Sequence, residues 1–401
     1  MNHIYKTVWN KSKNAFDVVS ELVSSKGKST GSSKDSAADI QDSKSQKWHL
    51  FAAVLTPLAA MLFVQTTFAN VEIAPGSKTQ TYNANNGVQV VDIATANSAG
   101  ISHNRFVNYN VDKAGQILNN AAQSASQMSV MTELAGKIRT NANLDRSAKV
   151  ILNEVVGNNR SNLKGYIEVA GNKADVIIAN PYGITCSGCG FINTDRATLT
   201  TGTPNFAQNG SLLNFNVTRG DILISDKGVD ATAQSLLQLL SRNIKVDGQI
   251  NAQDLKIVTG ANQIDASSGQ IQSIASTTSA SEDAIDSTQL GGIYANRISL
   301  ISTDQGVGVR TLGNVAANGS DFTLSAAGKI ELNSKISAQQ KLSIQNTSTA
   351  NNTLNINGSL TANNVEIGSA ENNKINLNVS SGSISANNNL QANINQLTAK
   401  N

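Results

Sequence analysis

Ile336-Ser337-Ala338-Gln339-Gln340-Lys341-Leu342-Ser343-Ile344 sets two apolar-polar alternations either side of a polar corner. On extended backbone, side chains two residues apart point the same way, so each end of this stretch reads as a short strand with one apolar face. A helix needs apolar residues three and four apart, and neither end offers them. The unit recurs on both sides. Val315-Ala316-Ala317 leads to Phe322-Thr323-Leu324, and Leu360-Thr361-Ala362 leads to Val365-Glu366-Ile367. Ile293-Tyr294-Ala295 precedes Ile298-Ser299-Leu300, and Ile384-Ser385-Ala386 precedes Leu390. The starts lie 22, 21, 24 and 24 residues apart. Ile250-Asn251-Ala252 with Leu255-Lys256-Ile257 fits the same template 43 residues before Ile293, a gap near two units that holds a Ser/Thr/Asp insertion around 273–288. A third apolar pair falls between units: Ile330/Leu332, Leu354/Ile356 and Ile375/Leu377.

Three short strands per unit, separated by Asn, Gly and Ser that tolerate left-handed backbone, describe an all-β chain wound as a parallel β-solenoid. At that repeat length the chain supplies about fifteen coils. Composition agrees. Only 4% of the residues are aromatic, and none follows Phe322, so the core must be a regular stack of small aliphatic side chains. Asn fills 16 of the last 51 positions. These read first as corner residues, with Asn ladders that promote chain-to-chain stacking as the sharper alternative.

The two ends carry different information. Residues 50–64 form an uncharged apolar run of 15, preceded by Lys47. That is short for a membrane span and right for a signal-peptide core. Thr67 and Ala69 frame a small-x-small site, which places cleavage between Ala69 and Asn70. A single membrane anchor is the competing reading, and Pro57 interrupts it. The net charge of +3 resides wholly in residues 1–69, and the remainder balances 23 basic against 23 acidic residues. No basic face is left for phosphates, so nucleic acid is not an expected partner. At the far end the text stops on a coil at Lys400-Asn401, which suggests a truncated gene, a fragment, or a chain that pairs with another.

Chemistry is sparse. Beyond residue 69 there is one histidine, His103, in a stretch better explained by strand packing, and no serine sits in an activating elbow. No dense Asp/Arg/Lys set marks neighbouring coils, so no catalytic residue, metal site or cofactor is expected. Glu282, Asp283 and Asp286 read as a solvated acidic loop, or as a weak calcium site. Cys186 and Cys189 are the only cysteines. They read as a small loop-closing disulfide on an oxidising export route, as idle thiols, or as zinc or redox ligands that lack a second pair.

Asn180-Pro181-Tyr182-Gly183 puts Asn, Pro and Gly at the first, second and fourth places of a type I turn, after the apolar run Val176-Ile177-Ile178-Ala179. With Ile101-Ser102-His103-Asn104-Arg105-Phe106, Gly115-Gln116-Ile117-Leu118-Asn119-Asn120, Val150-Ile151-Leu152-Asn153-Glu154 and Asn141-Ala142-Asn143-Leu144, it resembles the secretion domain of two-partner-secretion exoproteins. These include filamentous haemagglutinins, secreted haemolysins and contact-dependent growth-inhibition proteins. Residues 1–11 and 18–21 likewise resemble the extended signal region of large exported bacterial surface proteins.

The resemblance implies a right-handed, three-sided parallel β-helix with an N-terminal β-cap. It implies three segments: an extended signal peptide over 1–69, the secretion domain over 70–310, and β-helical repeat coils over 311–401. It implies recognition by an outer-membrane transporter barrel through two turns, Asn141, Asn143 and Leu144 in one, and Asn180, Pro181, Tyr182 and Gly183 in the other. The first turn has Ala142 where the family has Pro, so its φ restriction is lost and a looser turn is expected. The second has Tyr182 where the family has Asn. The implied role is a non-enzymatic protein secreted to, or held at, the surface of a Gram-negative cell and serving adhesion. The stalk of a growth-inhibition toxin and a transporter-activated cytolysin are the alternatives. Inner-membrane secretion machinery for the leader and a receptor on a host or neighbouring cell are the further partners implied.

Overall fold

The computed structural model describes residues 5–10, 15–20 and 71–400, apart from 125, 280, 351 and 369–374. It divides into a unit within 1–64 and a second within 65–401. In the first, strands Tyr5–Asn10 and Ala15–Ser20 pair antiparallel. The apolar run and the expected cleavage point between Ala69 and Asn70 lie outside the described residues.

The second unit is the solenoid. Its chain visits three parallel sheets in rotation. The first face begins with Ile101–Asn108, Val150–Val155, Asp175–Ala179 and Arg196–Thr200. The second runs from Ser161–Leu163 through Ile184–Cys186 to Ile394–Ala399, and the third from Gln116–Asn120 through Tyr166–Gly171 to Ser383–Ala392. The third and first faces merge where Val229–Ser241, Ile250–Thr259, Ser359–Ile367 and Ser383–Ala392 pass the corner unbroken. This is a parallel β-helix, as the alternation implied, and a right-handed one, as the resemblance implied.

The repeat pairs fall into register. On the third face Ile250, Ile293, Val315, Ile336, Leu360 and Ile384 form one column. On the first, Leu255, Ile298, Phe322, Leu342 and Val365 form another. All but Ile384 are buried in one continuous core. Each such side chain removed from water contributes about 1.5–3 kcal/mol before its ordering entropy is counted. On the second face the register sets Leu377 and Val379 beside Leu354 and Ile356, one step on from the Ile375/Leu377 pairing read from the sequence.

Two spacing expectations need correction. Ile250 pairs directly with Ile293, so the 43-residue gap is one coil and not two. The first face carries eleven strands among the described residues, not fifteen. The difference has one cause: long segments leave the stack. Ser129–Thr132 and Gly136–Arg139 make a hairpin. Thr203–Phe206, Leu212–Val217, Asn262–Asp265 and Ile271–Ser273 make a four-stranded antiparallel sheet. That sheet lies over the outside of the first face, where Phe215, Val217 and Ile264 pack on Ile177, Leu240 and Val258 as a second core.

Ahead of the coils, Glu72–Ile73 pairs antiparallel with Ile101–Asn108, and Gln80–Asn83 with Gln89–Asp92, forming the expected N-terminal cap. The acidic stretch at 282–286 is no loop either. Asp283–Ser287 is a second-face strand, and Arg310 on the next coil meets Asp286 at 3.0 Å and Asp283 at 3.5 Å. The Asn-rich end builds ladders within the chain. Asn376 donates to Asn352 and Asn378 to Asn355, each at 2.9 Å, and Asn395 donates to Asn376 at 3.1 Å.

Candidate functional site

Asp175–Ala179 ends at the corner between the first and second faces, and there Asn180 is fully buried. Its main-chain N–H donates to the Thr200 carbonyl on the next coil. Its side-chain amide donates to the Asn159 carbonyl and to Ser161 Oγ, both at 2.9 Å. The Oδ1 atom accepts the Tyr182 N–H at 2.9 Å, and the carbonyl accepts the Gly183 N–H at 3.0 Å. One residue therefore ties three successive coils and folds the turn around itself. Gly183 closes it at φ 106°, and a Cβ there would lie 2.8 Å from the Arg160 guanidinium. Glycine is the side chain that fits.

Tyr182 is left on the outside, 38% exposed, with the Arg219 guanidinium carbon 3.9 Å from its ring centroid. Arg160 lies beside the turn, paired with Asp221 and donating to the Ile184 carbonyl at 3.1 Å.

Asn141 repeats the device at another corner, after the hairpin that follows Gln116–Asn120. Its amide donates to the Ile93 and Asn119 carbonyls, both at 2.9 Å. The Oδ1 atom accepts the Asn143 N–H at 2.9 Å, and the carbonyl accepts the Leu144 N–H at 3.2 Å. The turn closes with the same bonds as its counterpart, although Ala142 fixes no φ. The buried asparagine sets the folded geometry, whereas proline acts mainly by restricting the unfolded chain. Leu144 is buried. The structure does not bring the two turns together.

Cys186 and Cys189 are buried and bonded to each other, with Cα atoms 5.4 Å apart. They join the end of a second-face strand to the start of a third-face strand across Ser187-Gly188, inside the main core. His103 faces outward from the first face, 2.7 Å from Glu154 and packed at a tilt of 35° against Phe206, 4.9 Å between ring centroids. It holds the antiparallel sheet to the coils. Among the described residues no three His, Cys, Asp or Glu side chains are grouped to hold a metal ion.

Several carboxyls are pushed above their ordinary range by burial. Asp92 is one, against the pull of Asn119 and Arg139. Glu168 is another, although it accepts the Glu133 and Leu134 N–H groups at 2.7 and 2.8 Å. Sequence reasoning missed Arg160, Arg219 and Asp221 around the Tyr182 turn. Arg219 reaches it only because an excursion of the chain returns to that corner, and no local pattern signals such a return.

Set against known proteins, residues 69–332 match the family model of the TPS secretion domain, and residues 1–42 match that of the Extended Signal Peptide of Type V secretion system. The chain is 42% identical over 267 residues to the 16S rRNA endonuclease CdiA of Enterobacter cloacae, spanning 66% of this chain and 8% of that protein. It is 43% identical over 270 residues to the tRNA nuclease CdiA of Yersinia mollaretii, spanning 67% and 9%. The toxin CdiA of Yersinia pestis is 36% identical over 352 residues, 84% of this chain and 10% of that protein. The chain thus spans about a tenth of the length of these relatives. Its fold is similar to the crystal structure of the filamentous hemagglutinin secretion domain, with a TM-score of 0.60 and 30% identity, covering 82% of this chain and all of that one.

Proposed function

The chain belongs to the TPS secretion-domain family, and from that premise we propose that the Asn180 turn, with Tyr182 and Arg219 on its outer side, is where its transporter barrel recognises it. Family membership makes the chain a two-partner secreted exoprotein of a Gram-negative cell, with an outer-membrane transporter as its partner. The observation that carries the finer reading is the turn's construction. Every polar group of Asn180 is used in holding the frame, and what that frame presents to solvent is an aromatic ring stacked by a cation. Rigid aromatic anchors of this kind dominate protein recognition at low entropic cost.

The test is secretion of the full chain by cells co-expressing the cognate barrel. Tyr182→Ala is expected to lower the secreted fraction several-fold while the purified protein keeps its melting temperature. Undiminished secretion would exclude the turn as the recognised element.

For what the exported protein does, the relatives' names favour the stalk of a growth-inhibition toxin over an adhesin. Nuclease activity is said of those proteins, and the segment in hand is a secretion domain. Adhesion to a host or neighbouring cell is the second reading, supported by the haemagglutinin fold. Co-culture with unprotected sibling cells tests the first and agglutination of erythrocytes the second. Leader-dependent passage through inner-membrane machinery and retention at the cell surface belong to the same proposal, as does the division at 1–69, 70–310 and 311–401.

A further inference from the structure

The antiparallel sheet does not cover the first face completely. Along its edge two cavities of 280 and 220 Å³ lie side by side, and both are lined by Arg196, Phe215, Gln238 and Ser267. They form one cleft whose floor runs over six strands of the first face, from Ile101 to Lys256, and whose roof comes from two separate excursions of the chain. Lys256 lines its far end, where the ammonium donates one hydrogen bond to the Gly269 carbonyl at 3.2 Å.

The charges in this cleft are arranged unequally. No carboxylate among the described residues lies within ion-pair distance of Arg196 or of Lys256. The two acids that line the cleft are engaged elsewhere. Asp175 accepts the main-chain N–H of Arg196 at 3.1 Å, and burial pushes its carboxyl above the ordinary range. Asp265 accepts both the N–H and the hydroxyl of Ser267 and of Ser268, between 2.7 and 3.0 Å. Two half-buried cations thus face each other without an ion-pair partner, although the charge of Arg196 acts on Asp175. Burial, and then the charge of Arg196, holds Lys256 below the ordinary lysine range. Like charges kept together without an ion-pair partner are less favourable in the empty protein than when an anion bridges them. Beside them the Gln238 amide, which accepts the Thr198 hydroxyl at 3.2 Å, offers its N–H groups on the floor, and Leu212, Ala266 and the edge of the mostly buried Phe215 form an apolar wall.

We propose that this cleft binds an acidic saccharide unit, its carboxylate or sulfate held between Arg196 and Lys256 and its ring laid against the wall that Leu212 and Ala266 form. The volume suits one or two sugar rings, and mixed apolar and hydrogen-bonding walls are the chemistry of such sites. The assignment stands apart from transporter recognition, since no cleft residue belongs to either turn.

Calorimetric titration of the full chain with sodium glucuronate, glucose 6-sulfate, glucose and inorganic sulfate tests it. The two acidic sugars are expected to bind at least about tenfold more tightly than glucose or inorganic sulfate. Arg196→Gln and Lys256→Gln should each weaken them about tenfold without lowering the melting temperature. Leu212→Ser should weaken the sugars and leave sulfate unchanged. Equal affinity for glucose and glucuronate overturns the proposal, as does an acidic-sugar affinity indifferent to both charge substitutions. Inorganic sulfate binding as tightly as glucose 6-sulfate removes the saccharide. Absence of heat with either acidic sugar at millimolar concentration removes the site. If Arg196→Gln does not fold, the affinity of Lys256→Gln alone decides whether the cations hold the anion.

Discussion

With Asn180 fully engaged in the turn, the side chain free to meet an approaching partner is Tyr182, and Arg219 sets its orientation. An exposed cation–π contact is worth about 0.5–1 kcal/mol, too little to decide folding but enough to fix a ring. Arg219→Ala should therefore leave the melting temperature within about 2 °C and still reduce secretion through the barrel. Arg219→Lys, a cation without the planar stacking surface, should fall between. Secretion equal to wild type in Arg219→Ala would mean that ring orientation does not matter. A second residue-scale effect concerns pH. Asp92, Glu168 and Asp175 are raised by burial, so each has a folded pKa above its unfolded one. Stability from such a group is complete below the unfolded pKa and is lost as pH rises through the folded one. Denaturation midpoints should therefore rise as pH falls from neutrality toward the ordinary carboxylate range, about pH 4. Asp230 and Asp265, which are lowered, withdraw stability only at still lower pH. A midpoint that falls steadily over that range, or a slope unchanged in Asp175→Asn, would count against this account. The Asn180 turn was legible because its four residues interact among themselves. Arg219 and the Arg196–Lys256 pair were not, because they meet only through the register of coils and the reach of the excursions.

Strands and corners were the most readable level. Alternation at i and i+2 located the columns on the first and third faces, and on the second as far as Leu354 and Ile356, since a one-residue slip would turn every Ile and Leu outward. What alternation does not reveal is when a strand leaves the stack. Phe215-Asn216-Val217 alternates as a coil strand does, yet its strand Leu212–Val217 pairs antiparallel with Asn262–Asp265. Each corner element also has its own fastening. The disulfide between Cys186 and Cys189 closes a loop of four residues, for which chain entropy gives about 2 kcal/mol. Replacing both cysteines by alanine should lower the unfolding free energy by about that amount, measured in denaturant without reductant. No change would show that the corner is held by packing alone. The amide ladder fastens the later coils differently. Asn376 both donates to Asn352 and accepts from Asn395, so Asn376→Ala should cost about 1–2 kcal/mol. Asn387 makes one such bond, to Asn363, and Asn387→Ala should cost less. Equal losses at the two positions would indicate that the ladder contributes nothing beyond corner geometry.

For the molecule as a whole, the decisive property is that each coil touches its neighbours and little else. Stability of such a stack is a sum of coil and interface contributions, and folding can spread from one end while the rest stays extended. That suits a chain threaded through a pore, because every coil closed outside buries apolar area at about 25 cal/mol per Å² and biases further movement outward. The N-terminal cap is suited to begin the process. It pairs locally, and Ile93 and Phe106 beside it are already in the main core. The same property makes damage local. Leu354 sits between Ile330 and Leu377 in the second-face column, and Leu354→Ala removes about 2–5 kcal/mol from that position. Amide exchange should then accelerate in the strands Ile330–Leu332, Thr353–Ile356 and Ile375–Val379. Protection at Ile101–Asn108 and Val150–Val155, many coils away, should be unchanged. A globular core would lose protection throughout, because one cavity lowers the stability of everything that unfolds with it. Uniform acceleration across both regions would therefore show a single cooperative unit, and export driven coil by coil would have no physical basis.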